Sequence, residues 1–377
     1  MARVMKLTNK LYQKFVIDNI DNIDKTDWNS GNDAPLVVEL DPTAVCDLAC
    51  PGCISEDIIA VGNSFSNERL MSLGQELIDC GVKAVILIGG GEPLAHPKIG
   101  DFITLLGQNN VHIGITTNGT FIDRYLHLIS KYVQWTRISF DAATDKTFIK
   151  LRPTKGGKSR YKKIINNMKN LAKVKKGKLG FSYLIQTQAD GLEIDNVDEI
   201  YDAAVLAKVI GCDYFEVKPT YQFKNDVPHS LMKHDNELME KAKSQIEMAY
   251  NLDDDNFKIM EAINLKYSLS GDVQFQEKSY KTCPSTHLRT TITPGGAYVC
   301  PYWRGKEHMK IGDINTTSVA SMWNSKLRKE VMSNLDAKVD CSFHCLRNDT
   351  NNECFSLKNK LVKGENIEAV DEFDRFL

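Results

Sequence analysis

The chain has 377 residues, with 47 Lys and Arg against 49 Asp and Glu and a formal net charge of -2. Hydrophobic residues are 42% and charged residues 25%, which suits a globular protein with room for one large domain and a smaller one. Near-neutral charge argues against a nucleic-acid partner, and the best apolar run, Ala84–Ile88, falls far short of a membrane span. Met1–Asp18 lacks the apolar stretch of a signal peptide, so a cytoplasmic location is expected. In that compartment clustered cysteines, among the ten present, read as metal ligands rather than disulfides.

Beyond an N-terminal extension over 1–33, β-rich runs alternate with amphipathic stretches. Leu36–Leu40, Ala84–Ile88, Val111–Thr116, Thr136–Phe140, Gly180–Gln186 and Tyr214–Lys218 read as strands. Asn67–Cys80, Lys98–Gln108, Ile122–Ser130, Tyr161–Val174 and Asn196–Ile210 read as helices with one apolar face. This α/β alternation predicts a parallel sheet with right-handed crossovers, either a partial (β/α)6 barrel over 34–220 or an open doubly wound sheet. Both place reactive groups at the C-terminal ends of the strands. The basic stretch Lys155–Lys178 reads as the solvated face of a helix. Residues 221–282 read as a polar, mostly helical connection. A final unit over 283–377 starts with a hairpin, Arg289–Thr293 and Ala297–Tyr302 around Pro294-Gly295-Gly296, and continues with a helix over Val319–Leu335.

Cys46, Cys50 and Cys53 share one loop after the first strand. Three thiolates so placed wrap one face of an iron–sulfur cluster and leave one iron open to a chelating ligand. A zinc site borrowing its fourth ligand elsewhere is the alternative. Gly89-Gly90-Gly91-Glu92-Pro93 ends the second strand. Gly90 and Gly91 let backbone approach a ligand closely, and Glu92 offers an acceptor for an ammonium. Asn118 ends the third strand. Ser139 and Asp141 end the fourth and, two residues apart, point to one side of it. Gln186 ends the fifth. Taken singly, each segment also suits an ordinary turn or a polar strand end.

In this order the segments resemble the radical S-adenosylmethionine (SAM) superfamily over roughly residues 34–220. The resemblance covers the Cys-x3-Cys-x2-Cys motif, the GGEP segment that receives the amino group of SAM, and the ribose- and carboxylate-binding segment of the fourth strand. It implies a [4Fe–4S] cluster held by Cys46, Cys50, Cys53 and SAM, and a flavodoxin- or ferredoxin-type electron donor. It further implies reductive cleavage of SAM to a 5′-deoxyadenosyl radical that takes hydrogen from a C–H bond. Gly52 departs from the family, in which an aromatic residue commonly precedes the third cysteine.

Five more cysteines follow: Cys283 before the hairpin, Cys300 on its second strand, then Cys341, Cys345 and Cys354. Such a hairpin, closed by a downstream pair, can enclose a second cluster, although four thiolates also suit zinc. The spacing of Gly295 to Cys300, with Ile311-Gly312-Asp313-Ile314 and Met322-Trp323-Asn324-Ser325, resembles the SPASM/twitch extension of many radical SAM enzymes. Five cysteines instead of the seven of a full SPASM imply one auxiliary [4Fe–4S] cluster on Cys283, Cys300, Cys341 and Cys345. Cys354 is left as an alternative ligand, a spare thiol or a hydrogen donor. Cys80 and Cys212 read as core.

The resemblance then implies an oxidoreductase acting on a small polar molecule such as a sugar or aminocyclitol, with an alcohol oxidised through the auxiliary cluster. A radical epimerase with a cysteine hydrogen donor and a peptide-modifying enzyme are alternatives. The second is expected less because only 45 residues precede Cys46. Lys218, Arg304, Lys306 and His287 are candidates for substrate contact, Lys218 the best placed. A non-enzymatic zinc- or cluster-binding interaction protein explains the cysteines but not Glu92, Asn118 and Asp141 at successive strand ends.

Overall fold

The structure is a computed structural model that describes residues 7–23, 33–187, 195–224, 227–231, 235–271, 276–370 and 374–377. Its first six strands are β1 (Val37–Leu40), β2 (Ala84–Leu87), β3 (His112–Thr117), β4 (Val133–Ser139), β5 (Lys178–Leu184) and β6 (Tyr214–Lys218). Then follow β7 (Tyr221–Lys224), β8 (Val227–Leu231), β9 (Lys258–Glu261), β10 (Arg289–Thr293), β11 (Gly296–Tyr298) and β12 (Lys310–Gly312). One sheet takes all but β7 and β8, in the order β12-β11-β10-β1-β2-β3-β4-β5-β6-β9.

Strands β1 to β6 run parallel in chain order, with β9 parallel on one flank and β10 parallel on the other. The helices Asn67–Asp79, Ile99–Gln108, Ile122–Tyr132, Tyr161–Val174 and Ile200–Ile210 pack side by side in the same sequence. They therefore share one face of the sheet. A doubly wound sheet reverses its strand order and carries helices on both faces. Here the strand order does not reverse from β1 to β6 and the crossover helices keep to one face, so the fold is the partial (β/α)6 barrel.

Side-chain alternation divides the two faces. Val38, Leu40, Val85, Leu87, Ile113 and Phe181 point outward to the helices and are buried. The helix Asn67–Asp79 buries Leu70, Leu73 and Leu77 there, each contributing about 1.5–3 kcal/mol. Ser66 caps it by accepting from the Arg69 N–H at 3.0 Å. On the inner face the lower half is apolar. Val37, Ala84 and Ile86 meet the helices Lys14–Asn22 and Asn348–Val362, and Trp135 packs edge-on against Phe376 with ring centroids 5.3 Å apart. The upper half is polar: Thr116, Arg137, Ser139, Ser182, Glu216 and Lys218 face inward. Residues of both chain ends thus plug the bottom of the barrel and leave its top polar.

The structure departs from the sequence reading in several places. A helix at Asp145–Leu151, capped by Thr144, follows β4. Asn196 lies before a 3-10 turn, Val197–Glu199, and the α-helix starts only at Ile200. The 221–282 stretch is less helical than expected, since it contributes the β7–β8 hairpin and β9, whose Ile259 enters the core. The helix over Val319–Leu335 breaks into Val319–Trp323 and Lys326–Asn334, because Ser325 caps the second by accepting from the Arg328 N–H. Strand β11 ends at Tyr298, so Cys300 lies beyond it, at the head of the turn Pro301–Trp303. No helix among the described residues is long and apolar enough to cross a membrane.

Candidate active site

The first cysteine loop lies above β1 and is gripped on three sides by backbone. The Ala44 N–H donates to Asn63 O at 2.9 Å, and the Ala49 N–H to Pro153 O at 2.7 Å. From the glycine segment, the Gly91 and Glu92 N–H groups donate to Thr43 O and Val45 O at 3.1 and 2.8 Å. A Cβ at Gly91 would lie 2.5 Å from Val45 O, so only glycine permits this approach. Within the loop, the Cys53 N–H donates to Cys50 O at 3.3 Å across Pro51 and Gly52. Gly52 has φ +68°, which explains its departure from the family's aromatic residue: the turn needs the left-handed region there. Burial, with the neighbouring Cys50 and the nearby carboxylates, pushes the Cys46 thiol up to about 12. A cationic cluster would reverse that, since a coordinated thiol is deprotonated.

The strand ends close around this loop. Glu92 Oε1 accepts from the Leu94 N–H at 3.1 Å and the Thr117 hydroxyl at 2.6 Å, and Oε2 accepts from the Asn118 N–H at 2.7 Å. Glu92 therefore first ties β2 to β3, with lone-pair capacity left for an ammonium. Burial holds its carboxyl up at about 7, and a cationic ligand would favour its ionised form. The Asn118 amide donates to Asp47 Oδ1 at 2.9 Å and lies 3.9 Å from Cys46 Sγ.

Asp141 differs from expectation. It lies beyond β4 with φ +60°, so strand alternation does not align it with Ser139. Its carboxylate accepts from the Leu184 N–H at 2.8 Å and pairs with the Arg152 guanidinium. Arg152 in turn reaches to 3.9 Å from Cys50 Sγ. Burial opposes its charge, but Asp141 and Cys50 outweigh that and hold it firmly protonated. Sequence reasoning missed Arg152 because its helix was missed. It also missed Asn196, fully buried, which donates to Asp141 O and Leu184 O and accepts from the Gln186 N–H. Ser139 sits half-buried at the end of β4. Among the described residues Gln186 Oε1 and Asp41 Oδ1 are buried without a hydrogen-bond partner, as expected of groups that await a ligand. Gly90 runs beside Ile58 and Asp41.

The second thiol set is assembled by the tertiary fold. On top of burial, Cys341, Cys345 and Cys283 all raise the Cys300 thiol, Cys283 and Cys345 raise that of Cys341, and Cys345 raises that of Cys283, so the four lie close together. The Asn351 amide donates to Cys283 Sγ at 3.2 Å, and the Arg347 N–H to Cys345 Sγ at 3.4 Å. Lys278, Arg347 and Arg289 all bring positive charge to bear on Cys345. Among the described residues no three His, Cys, Asp or Glu side chains converge as a single metal ion requires.

Residues 40–204, which include the first cysteine loop and the ends of β1 to β5, match the family model of the radical SAM superfamily. They form a radical SAM domain. The family implies SAM and a [4Fe–4S] cluster, which three thiols, a glycine cradle and orphaned polar atoms at the strand ends fit. A GTP 3′,8-cyclase of Synechocystis sp. is 34% identical over 110 residues, 28% of this chain and 33% of the cyclase. The chain thus spans about a third of that relative. SuiB of Streptococcus suis bound to S-adenosylmethionine superposes over 80% of this chain and 68% of its own, at 17% identity and TM-score 0.59. The anSMEcpe structure with bound AdoMet and Cp18Cys peptide covers 88% and 98%, at 14% identity and TM-score 0.57. At these identities the likeness is one of fold.

The candidates for substrate contact divide around the radical SAM domain. Lys218 ends β6 on the inner face. Arg304 is engaged by Asp41 at the end of β1, 2.6 Å away, and so joins the final unit to the domain. His287 is buried, and Lys306 sits half-buried just after the Pro301–Trp303 turn. Cys354 is fully buried in the apolar cluster that holds Leu11, Leu288 and Leu357, and lies near enough to Cys283 to feel its charge. A cleft bordered by Phe15, Ile78, Lys83, Asn110 and Arg375 lies at the opposite, N-terminal end of the strands, away from this chemistry.

Proposed function

We propose that this radical SAM enzyme takes hydrogen from a small polar substrate and oxidises an alcohol, with one auxiliary [4Fe–4S] cluster on Cys283, Cys300, Cys341 and Cys345. The observation that supports this most is the gathering of four thiols from separate segments next to the strand that carries the first cysteine loop. When bound, the first cluster would supply the electron that cleaves SAM, and the second would accept one electron from the substrate radical left after hydrogen transfer, its hydroxyl proton passing to solvent. Cys46, Cys50 and Cys53 would hold the first cluster. Gly90, Gly91, Glu92, Asn118, Ser139, Gln186 and the Arg152–Asp141 pair would hold SAM. Lys218 faces the substrate from the inner wall. The plugged lower barrel would exclude water from beneath.

A peptide substrate is a second reading. The anSMEcpe chain, whose structure contains a bound peptide, is matched over 98% of its length, so a short N-terminal region does not argue against peptides. Epimerisation by a Cys354 hydrogen donor is less favoured, given the burial of that thiol.

Anaerobic reconstitution should give about eight irons and eight sulfides per chain, two four-iron clusters' worth. About four would remove the auxiliary cluster, and zinc without sulfide would remove the whole reading. With SAM and reductant the protein should release 5′-deoxyadenosine. In heavy water, a product of unchanged oxidation level bearing one solvent deuterium would mean epimerisation instead.

A further inference from the structure

The inner face of the barrel, above Trp135, holds a charged cluster that neither thiol set uses. Register pairs Arg137 with Gly180, Ser182 with Glu216 and Leu184 with Lys218, so Arg137, Glu216 and Lys218 share that face. Below them two rings make a floor. A Cβ on Gly114 or Gly180 would lie about 2 Å from Trp135 or Tyr214, so the rings lie directly over these glycines. Glu216 is bonded by both cations, Arg137 Nη1 at 3.3 Å and Lys218 Nζ at 3.2 Å. Arg137 Nη2 also donates to Thr116 Oγ1 at 3.2 Å.

Elsewhere at this end of the sheet Arg152 has Asp141 and Arg304 has Asp41 as its own carboxylate. Here two cations share one, which leaves one positive charge unbalanced among the described residues. The side chains of Arg137 and Lys218 are only 24% and 22% exposed, where surplus charge is costly without a counter-ion. Arg137 Nε is buried and has no hydrogen-bond partner among the described residues. Burial and the nearby Arg137 push Lys218 down to about 8, which still leaves it mostly protonated at neutral pH.

We propose that Arg137 and Lys218 form a subsite for a carboxylate of the substrate, so that the small polar molecule is an acid, such as a hydroxy acid or uronic acid. One surplus charge matches a monoanion, whereas a phosphate dianion would leave an excess of negative charge. A cationic amino sugar or aminocyclitol would be repelled. Lys218 is near enough to Asp141 to feel its charge, which links the subsite to the end of the barrel where SAM would bind. The proposal rests on the reading above that this domain takes hydrogen from a small polar substrate.

The test uses the full chain, loaded anaerobically with clusters and SAM, and ligand-observed NMR at millimolar probe concentrations. Acetate should bind about tenfold more tightly than acetamide, the value of roughly one charge-assisted hydrogen bond, and ethylammonium should not bind. Arg137→Gln and Lys218→Met should each erase the preference for acetate, while Glu216→Gln should strengthen it. A merely structural cluster would weaken alike in all three. Equal binding of acetate and acetamide, or a preference that survives both cation variants, overturns the subsite. Weakened SAM binding with unchanged acetate binding would assign the charge to the cofactor and also overturn it. Lactate should bind at least as well as acetate, and binding only of the acetylated amide of glutamate would overturn the small-acid assignment in favour of a peptide. Iron content and 5′-deoxyadenosine release in the same samples report separately on the underlying reading.

Discussion

The two thiol sets are built by opposite means. Cys46, Cys50 and Cys53 lie on one short loop whose backbone is clamped by Asn63, Pro153 and Gly91. Cys283, Cys300, Cys341 and Cys345 are spread along the chain and meet because β10 adds to β1 and the helices after β12 fold back. Their electrostatic surroundings differ as well. Cys50 has Arg152 beside it, itself tied to Asp141, whereas Cys345 faces Lys278, Arg347 and Arg289 together. Three thiolates leave a coordination position free for chemistry, while four thiolates close a cluster. Positive surroundings favour the reduced, more negative state of such a closed cluster. On the proposed function, the pairing suits one site that gives an electron to SAM and one that receives an electron.

Removing one thiol from each set is the strongest way to break this comparison. Cys50→Ala should abolish 5′-deoxyadenosine release, measured by chromatography after incubation with SAM and reductant. Cys345→Ala should lower the iron count by about half, one four-iron cluster's worth, and still allow SAM cleavage. Its substrate should then leave without a net two-electron oxidation, as read by mass spectrometry. If Cys345→Ala silences SAM cleavage in a protein that keeps its first cluster, the division of labour between the sets is wrong.

The same contrast explains what the sequence made legible. The first set is local, so its spacing and its place after a strand could be read directly. The sheet was legible too, since its strands are β-rich, apolar or alternating runs, and only the one-faced packing of helices was needed to choose the barrel. Arg152 and Asn196 were not legible. Each acts through a residue distant in sequence: Arg152 reaches Asp141 and Cys50, and Asn196 bridges β4 and β5. Asp141 was placed correctly at a strand end but misread in direction, because its positive φ turns it out of the strand alternation. Cys300 was placed on a strand that ends two residues earlier, where Val299 already leaves the β11 pairing.

A subtler break concerns the charge around the second set. Among the described residues Arg347 Nη1 is buried without a hydrogen-bond partner, and the Arg347 charge acts on Cys345, Cys300 and Cys283. Arg347→Gln should lower the midpoint potential of the proposed second cluster, on the order of tens of millivolts for one nearby charge at partial screening. The first cluster's potential should stay within error in the same redox titration monitored by electron paramagnetic resonance. Equal shifts in both would mean that the arginine acts through the fold rather than on one cluster.

The smallest effect belongs to the thiol that fits neither set. Cys354 is surrounded by Leu11, Leu288 and Leu357, and burial raises its thiol far above the ordinary value, so its sulfur behaves as a small apolar group. Cys354→Ala removes one buried atom and should cost about 1 kcal/mol, near the lower end of large-to-small core changes. Cys354→Ser keeps the size but buries a hydroxyl and should cost about 1–3 kcal/mol where no partner is found. Thermal unfolding should therefore rank Ser below Ala, with both below the native chain, while iron content and 5′-deoxyadenosine release stay unchanged. A hydrogen donor would give a different result: transfer of solvent deuterium into product would be lost in both variants, whatever their stability.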